Sequence, residues 1–197
     1  MNSNDRSKKP HEVKESSLTY DDYAAINDGN RYELVQGQLE LMSPGPSSIH
    51  QMIHFEIQKN LTKNCEEEYF ILYAPIDVIL SEEEVRQPDV VLIHRGRKGI
   101  IKKRGITGAP DLVVEILSPS TLKRDKIDKR KTYANYAVPE YWIVEPESFI
   151  LEQFVLVNGQ YEPYNIFQQN ESITSPNIHC VNFTMAAIAE NIPDIKE

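Results

Sequence analysis

Cysteine, tryptophan and long apolar runs are scarce in this chain of 197 residues. It contains two cysteines and one tryptophan, and no apolar run reaches the roughly 18 residues that a membrane-spanning helix needs. Cys65 and Cys180 stand far apart, without the paired spacing of a zinc site or a disulfide framework. We therefore expect unpaired thiols, a reducing cytoplasmic compartment and no membrane contact.

Positive charge is also in deficit, because 21 lysines and arginines stand against 30 aspartates and glutamates, for a net charge of −9. An acidic chain of this kind argues against nucleic acid as a partner. The charge is unevenly distributed, however, since residues 95–131 hold 12 of the basic residues and only four acidic ones. This local excess is typical of a basic face that meets phosphate, and the equally open alternative is a pair of solvated surface segments.

The chain has the length of one domain. Residues 1–17 are polar and lack the apolar core of a secretory signal, which predicts a disordered N-terminal tail followed by a single domain over residues 18–197. Helix and strand patterns are interspersed through that domain and predict an α/β or mixed α+β fold with helices packed on a sheet. Residues 70–80 are predicted as one strand region, with a kink at Pro75 as an open alternative, and residues 82–84 as a solvated acidic loop.

Two Pro-Asp steps each open a short run that is rich in β-branched residues. The first ends in Asp89 and precedes the predicted strand 90–93, and the second ends in Asp111 and precedes a strand that carries Glu115 among apolar residues. A carboxylate inside a buried strand costs several kcal/mol unless it is compensated. Asp111 and Glu115 share a strand face but lie roughly 13 Å apart, so they cannot bind one ion. A divalent cation shared by Asp89 and Glu115 would compensate both.

From about residue 19 to residue 167 the chain resembles the Uma-two family of restriction-endonuclease-like proteins. The resemblance rests on the order of its motifs, which are Tyr32-Glu33-Leu34-Val35-x-Gly37, Ser43-Pro44 with His50, Pro88-Asp89-Val90, the run from Pro110 to Thr121, Asp125-x-x-x-Lys129-x-x-x-Tyr133, and the run from Val138 to Val144. It implies a restriction-endonuclease-like core of the PD-(D/E)xK nucleases, in which helices flank a central mixed β-sheet, with added β-hairpins. It also implies an endonuclease that hydrolyses phosphodiester bonds of DNA with Mg²⁺ or Mn²⁺ held by Asp89 and Glu115.

The chain departs from the general nuclease motif two residues after Glu115, where Leu117 stands in place of the motif lysine. The resemblance implies that Lys129, on the following predicted helix, replaces it as a catalytic residue. The alternative is that Lys129 forms an intrahelical pair with Asp125, four residues earlier. The resemblance also implies a catalytic role for His50, which would assist the attacking water or contact phosphate.

Two basic clusters flank the Glu115 strand and are candidates for contact with nucleic acid; their residues are Lys102, Lys103, Arg104, Lys123 and Arg124. Glu33 is either an outer-sphere ligand of the metal or a partner of a basic helix. A two-fold dimer would cut both strands of a duplex most easily, and the predicted hairpin 149–167 is its candidate interface.

Two other functions stay open at this point. Leu117 and the net charge of −9 favour a catalytically inactive nucleic-acid-binding or interaction module on the same fold. A hydrolase of some other phosphate ester is equally compatible with the residues, because a fold does not determine a function.

Overall fold

The computed structural model of the protein describes residues 17–43 and 45–195, so the predicted tail lies outside the described residues except for Ser17. None of the helices within these ranges is long and apolar enough to cross a membrane. The elements are α1 Tyr20–Ala25, β1 Tyr32–Val35, β2 Gln38–Leu41, α2 Ser48–Cys65, β3 Tyr69–Tyr73, β4 Val78–Ser81, β5 Glu84–Arg86, β6 Val90–His94, β7 Ile101–Lys102, β8 Gly105–Thr107, β9 Leu112–Ile116, α3 Arg130–Asn135, β10 Glu140–Glu145, β11 Ile150–Val157, β12 Gln160–Gln168, β13 Ser172–Ile173, β14 Phe183–Thr184 and α4 Met185–Ala189. A 3₁₀ segment, Arg95–Ile100, precedes β7, and wide π-helical turns, Arg124–Lys129, lead into α3.

Two mixed sheets form the body of the fold. The central sheet has the order β12-β11-β10-β9-β6-β3, and the second sheet has the order β2-β1-β5-β4-β8-β7. In the central sheet β6 and β9 are antiparallel whereas β9 and β10 are parallel. A parallel pair needs a crossover connection, and the segment that carries the π-helical turns and α3 supplies it. The predicted mixed α+β fold with a central mixed sheet and added hairpins is confirmed.

Side chains alternate across the central sheet and feed two separate cores. On one face, Val90, Leu112 and Val114 pack against α2 and α4. On the other face, Val91 and Val113 pack with residues of the second sheet and of α3. The alternation therefore places Glu115 on the face that α3 and the second sheet cover, as the sequence pattern predicts.

The helix α2 begins where Ser47 accepts a hydrogen bond from the backbone amide of His50, which is a standard N-cap. Ile53, Ile57 and Leu61 recur at helical spacing and are fully buried against the central sheet. The opposite side of the helix is thereby turned away from this core. That orientation places the first turns of α2 beside the ends of β6 and β9.

Two local predictions are wrong. Residues 70–80 form β3 and β4, which belong to different sheets, because a turn containing a cis peptide bond before Pro75 separates them. Residues 82–84 are not a fully solvated loop: Glu84 begins β5 and is buried against Arg86, whose Nε donates to its carboxylate at 2.7 Å. Arg86 lies two residues further along the same strand and therefore on the same face as Glu84. The acidic run gives no sign of the burial, because β1 covers this carboxylate, with the amide of Gln36 donating to it at 3.0 Å.

The expectation of unpaired thiols is also wrong, because Cys65 and Cys180 form a disulfide across 115 residues. Cys65 ends α2, and Cys180 precedes β14 in the C-terminal segment that packs on this helix, so their Cα atoms lie 5.2 Å apart. Spacing along the chain could not reveal a pair that the packing of the C-terminal segment brings together. The cysteines accordingly give no argument for a reducing compartment, and cytoplasmic localisation stays a prediction.

Candidate active site

Asp89 and Glu115 lie opposite each other on neighbouring strands. β6 pairs with β9 with Val90 opposite Val114, so one further step in this antiparallel register brings Asp89 to Glu115. Directly opposed residues of an antiparallel pair project from the same face with Cβ atoms about 5 Å apart. The backbone amide of Ile116 also donates to Oδ2 of Asp89 at 2.7 Å, which holds the first carboxylate beside the second.

Lys129 reaches the same point from the crossover segment. Its Nζ lies 2.9 Å from Oε1 of Glu115, and its side chain is only 4% exposed. The ammonium group also lies 3.3 Å from Oδ1 of Asp125, so the intrahelical pair forms together with the contact to Glu115. Leu117, which directly follows β9 at the position of the motif lysine, is buried in the core. The structure thus brings a lysine to Glu115 from the crossover segment instead.

Tyr133 completes the surroundings of Glu115. Its hydroxyl donates to Oε1 at 2.9 Å, so this tyrosine does more than pack the helix. Burial raises the pKa of Glu115 well above its ordinary value of 4.5 against the lowering effect of Lys129, and the neighbouring carboxylates raise it further. Burial alone would lower the pKa of Lys129, but Glu115, Glu33 and Asp125 raise it, so the lysine carries its charge at neutral pH.

Glu33 joins the site from β1 and is fully buried. Its carboxylate accepts hydrogen bonds from the backbone amide of Gln87 at 2.9 Å and from Nη1 of Arg86 at 3.3 Å, and it lies 3.6 Å from Nζ of Lys129. Burial by itself would raise the pKa of Glu33, but Lys129 and Arg86 bring it below the ordinary value. Glu33 thus pairs with basic groups, which include Arg124 of the helical segment at 4.0 Å, and its role as an outer-sphere ligand of a metal stays a prediction.

Carboxylates outnumber permanent cations in this region. The carboxylates are Glu33, Glu84, Asp89, Glu115 and Asp125, and the permanent cations are Arg86, Arg124 and Lys129. His50, whose pKa is raised beside Asp89, adds positive charge, and the raised pKa of Glu115 favours its neutral form. A divalent cation would favour the charged form of Glu115 and stabilise the carboxylates around it. Carboxylate and carbonyl oxygens are also the ligands that Mg²⁺ and Mn²⁺ prefer. The residues therefore fit such an ion, although among the described residues no three side chains of His, Cys, Asp or Glu converge as a ready metal site.

His50 and His54 face the same strand ends from α2. Nε2 of His50 lies 2.9 Å from the carbonyl oxygen of Ile116 and 3.4 Å from Oδ2 of Asp89, and its Nδ1 is buried without a partner among the described residues. Nε2 of His54 lies 2.9 Å from the carbonyl oxygen of Asp89. The Nε2 atom of each histidine thus points to a backbone carbonyl.

The contact between His50 and Asp89 shifts the pKa of both groups. Burial opposes the charge on each, but the contact raises the pKa of His50 above 6.5 and lowers that of Asp89 below 3.8. His50 is consequently poised to donate a proton in the site rather than to accept one.

The basic residues predicted to contact nucleic acid fall into two separate places. Lys102, Lys103 and Arg104 lie exposed on the hairpin between β7 and β8. That hairpin joins the second sheet through β8, which pairs with β4. Lys123 and Arg124 lie at the start of the crossover segment, near the carboxylates.

A cleft of about 1120 Å³ opens over the carboxylates. Residues from α2, the β3–β4 turn and the crossover segment line it, among them Arg31, His54, Phe55, Tyr73, Asp89 and Arg124. Of the basic residues predicted to contact nucleic acid, Arg124 is the one that lines the cleft within the described part of the chain.

The fold places the protein among nuclease-like structures. A solved structure from Anabaena variabilis, described as "a putative nuclease belonging to DUF820", is similar with a TM-score of 0.72 and 14% sequence identity, over 89% of this chain and 99% of that one. The chain itself belongs to the Uma2 family, whose description is "Putative restriction endonuclease" and whose model matches residues 18–187. This confirms the resemblance to the Uma-two family that the motifs indicate. No curated protein sequence matches the chain.

Three contributors to the site are missing from the sequence-based prediction. They are Arg86, the carbonyl group of Ile116 and the hydroxyl group of Tyr133. Arg86 lies three residues before Asp89, but an arginine in a short strand does not indicate burial. Tyr133 follows Lys129 at helical spacing, which was the one signal available for its position on the same face.

Proposed function

We propose that this protein is a Mg²⁺- or Mn²⁺-dependent DNA endonuclease that hydrolyses phosphodiester bonds. The observation that carries the proposal is the convergence of Asp89, Glu115 and Lys129 from three elements, with Nζ of Lys129 2.9 Å from the glutamate. Lys129 thus supplies from the crossover helix the ammonium group that Leu117 cannot supply from the strand. Membership of the Uma2 family and the nuclease-like fold support the same conclusion.

The metal would be held by the carboxylates of Asp89 and Glu115 and by the carbonyl oxygen of Ile116, which faces the same point. A bound Mg²⁺ ion supplies Lewis acidity toward the scissile phosphate and lowers the pKa of bound water. Lys129, charged at neutral pH, orients the attacking water and stabilises negative charge on the phosphate in the transition state. His50, whose pKa is raised, donates a hydrogen bond to a phosphate oxygen.

The direct test is cleavage of supercoiled and linear DNA by the purified protein with Mg²⁺, with Mn²⁺ and with a chelator. Asp89→Asn and Glu115→Gln should each reduce cleavage by roughly a hundredfold or more, because even residues that only support metal ligands cost ten- to a hundredfold when they are lost. Asp111→Asn is the matched control: Asp111 is a carboxylate on the same strand face, but it binds Arg97 and the amide of His94 away from the site. Cleavage that survives both active-site substitutions would exclude this mechanism.

Metal binding gives a second measurement that does not depend on turnover. Calorimetric titration of Mn²⁺ should show binding to the wild type and none to Glu115→Gln. Titration in the presence of a non-cleavable duplex covers the case in which phosphate oxygens complete the metal's coordination. Leucine in place of the motif lysine at position 117 also favours a second candidate function, a non-catalytic nucleic-acid-binding module. Salt-sensitive DNA binding without metal-dependent cleavage would support this second function.

The proposal includes a two-fold dimer in the cytoplasm. β12 is an edge strand of the central sheet, and Tyr164 and Ile166 on it are 55% and 59% exposed. An edge strand with exposed apolar side chains is suited to pairing with a second copy. Sedimentation at micromolar concentration tests the dimer, and a monomer there would remove this part of the proposal.

A further inference from the structure

Two large aromatic side chains of the cleft are exposed to solvent beside the proposed catalytic carboxylate. Phe55 is 60% exposed and Tyr73 is 49% exposed, and both line the cleft. Phe55 lies on the side of α2 that faces away from the core, and Tyr73 ends β3. Isolated exposed apolar residues are ordinary, but two aromatic rings in one cleft form a surface that a ligand can cover.

These rings are tied closely to Asp89. The backbone carbonyl of Asp89 accepts hydrogen bonds from His54 at 2.9 Å and from the amide of Ala74 at 2.9 Å. His54 is adjacent to Phe55 in sequence, and Ala74 is adjacent to Tyr73. The ring of Tyr73 also packs edge-on against that of His54, with centroids 6.0 Å apart. The aromatic surface and the catalytic carboxylate are therefore held in a defined relation.

The charge of the cleft does not favour binding through the phosphate backbone alone. Among the described residues that line it, the cations are Arg31, Arg124 and Lys129, and Lys129 is already surrounded by carboxylates. Glu145 and Glu147 line it as well. Duplex binding depends strongly on phosphate neutralisation by lysine and arginine. Base stacking on aromatic rings is the other common source of affinity, and it requires base faces that a duplex hides.

We propose that the cleft takes its DNA strand unpaired, with nucleobases stacked on Phe55 and Tyr73 while the phosphate next to them reaches Asp89 and Glu115. This inference rests on the proposed function for the role of the carboxylates, and it specifies the substrate as single-stranded DNA or a locally unpaired segment. The side chains of Asp89 and Glu115 are 18% and 4% exposed, so the phosphate must enter the cleft to meet them. A flexible single strand can do so with its bases turned onto the walls.

Fluorescence anisotropy tests the inference with a short labelled single strand of DNA, the same strand annealed to its complement, and the equivalent RNA strand, all in a chelator. We expect the single strand to bind more tightly than the duplex. Phe55→Ala and Tyr73→Ala should each weaken single-strand binding by roughly fivefold to a hundredfold, the range for loss of one stacked base. Arg31 and Arg124 are the cations left to meet phosphate, and Arg124 is already paired with Glu33 and Glu40, so the logarithmic salt slope should be no steeper than about −1.4.

Three controls make the result specific to stacking. Tyr73→Phe keeps the ring and should retain binding. Leu41→Ala removes an apolar side chain of similar exposure, 62%, on β2 and outside the cleft, and should have no effect. A strand with an abasic site should lose affinity for the wild type but little further affinity for the double variant Phe55→Ala/Tyr73→Ala, because the two changes remove the same contact.

Duplex binding that equals or exceeds single-strand binding would overturn the inference, as would cleft variants that bind like Leu41→Ala or a wild type that binds no strand. Tighter binding of the RNA strand would assign the stacking surface to RNA and overturn the choice of DNA. The proposed function fails separately: single strands bound through the two rings without metal-dependent cleavage would leave the stacking surface intact and remove the nuclease. Metal-dependent cleavage of duplex DNA that Phe55→Ala and Tyr73→Ala leave unchanged would support the nuclease and remove the stacking surface.

Discussion

Replacement of Lys129 by methionine should expose how strongly the buried charges depend on one ammonium group. Nζ lies 2.9 Å from Glu115, 3.3 Å from Asp125 and 3.6 Å from Glu33. The three carboxylates raise the pKa of Lys129 above its ordinary value of 10.5. Its stabilising contribution is therefore fully present below that value and is lost only as the pH rises through the higher folded-state pKa. Removal of one partner from a buried ion pair costs about 3–5 kcal/mol, so we expect a loss of this size at neutral pH.

Urea unfolding at neutral pH and at about pH 5 measures this loss. The cost should be smaller at the lower pH, because Glu115, whose pKa is already raised, then takes up a proton and no longer needs the lysine. Lys131→Met is the matched control, since Lys131 is an exposed lysine on the same helix, and its effect should stay within about 0.5 kcal/mol. If Lys129→Met were as stable as Lys131→Met at neutral pH, the argument from the buried charges would be refuted.

Three further predictions concern other parts of the fold. Serine at both Cys65 and Cys180 should lower the free energy of unfolding by about 4–5 kcal/mol, the loop-closure value for 115 residues, as measured by urea unfolding against the oxidised wild type; an unchanged value would contradict the pairing. Burial raises the pKa of Asp77 above 3.8, so the stability contributed by its protonated form is full below about pH 4 and is lost as the pH rises through the folded-state pKa. The free energy of unfolding of Asp77→Asn, measured over a pH series, should lack this loss. The same pH dependence in the wild type and the variant would disprove the argument. Glu140 is fully buried and accepts hydrogen bonds from four side chains, including the indole of Trp142. Glu140→Gln should therefore lower the free energy of unfolding by about 1.5–3 kcal/mol. The emission of the single tryptophan reports the unfolding, and a denaturation midpoint equal to that of the wild type would argue against the network.

Local patterns were sufficient for much of the fold. The β-branched runs after the two Pro-Asp steps form β6 and β9, and Asn158-Gly159 joins β11 to β12 with positive φ at both residues. The same reasoning failed for residues 70–80 and 82–84, where sheet membership and burial depend on partners far away in the chain. It also failed for the two cysteines, because loop closure over more than a hundred residues leaves no mark on the local sequence.

The sequence by itself determined which residues could form the site. The Pro-Asp step and the carboxylate within an apolar strand indicate Asp89 and Glu115 without any coordinates, and the resemblance to the Uma-two family adds Lys129. Side-chain alternation further placed Glu115 and Asp111 on one face and excluded the second from the same ion.

Only the tertiary structure decided what surrounds these residues. Strand register places Asp89 opposite Glu115, and the crossover helix brings Lys129 within 2.9 Å of that glutamate. The buried partners Glu33 and Arg86 arrive from the second sheet, and the exposed rings of the cleft arrive from α2 and the end of β3. The physical reason is that burial and Coulomb interactions depend on distance in space, and for these groups that distance follows from packing between elements rather than from spacing along the chain.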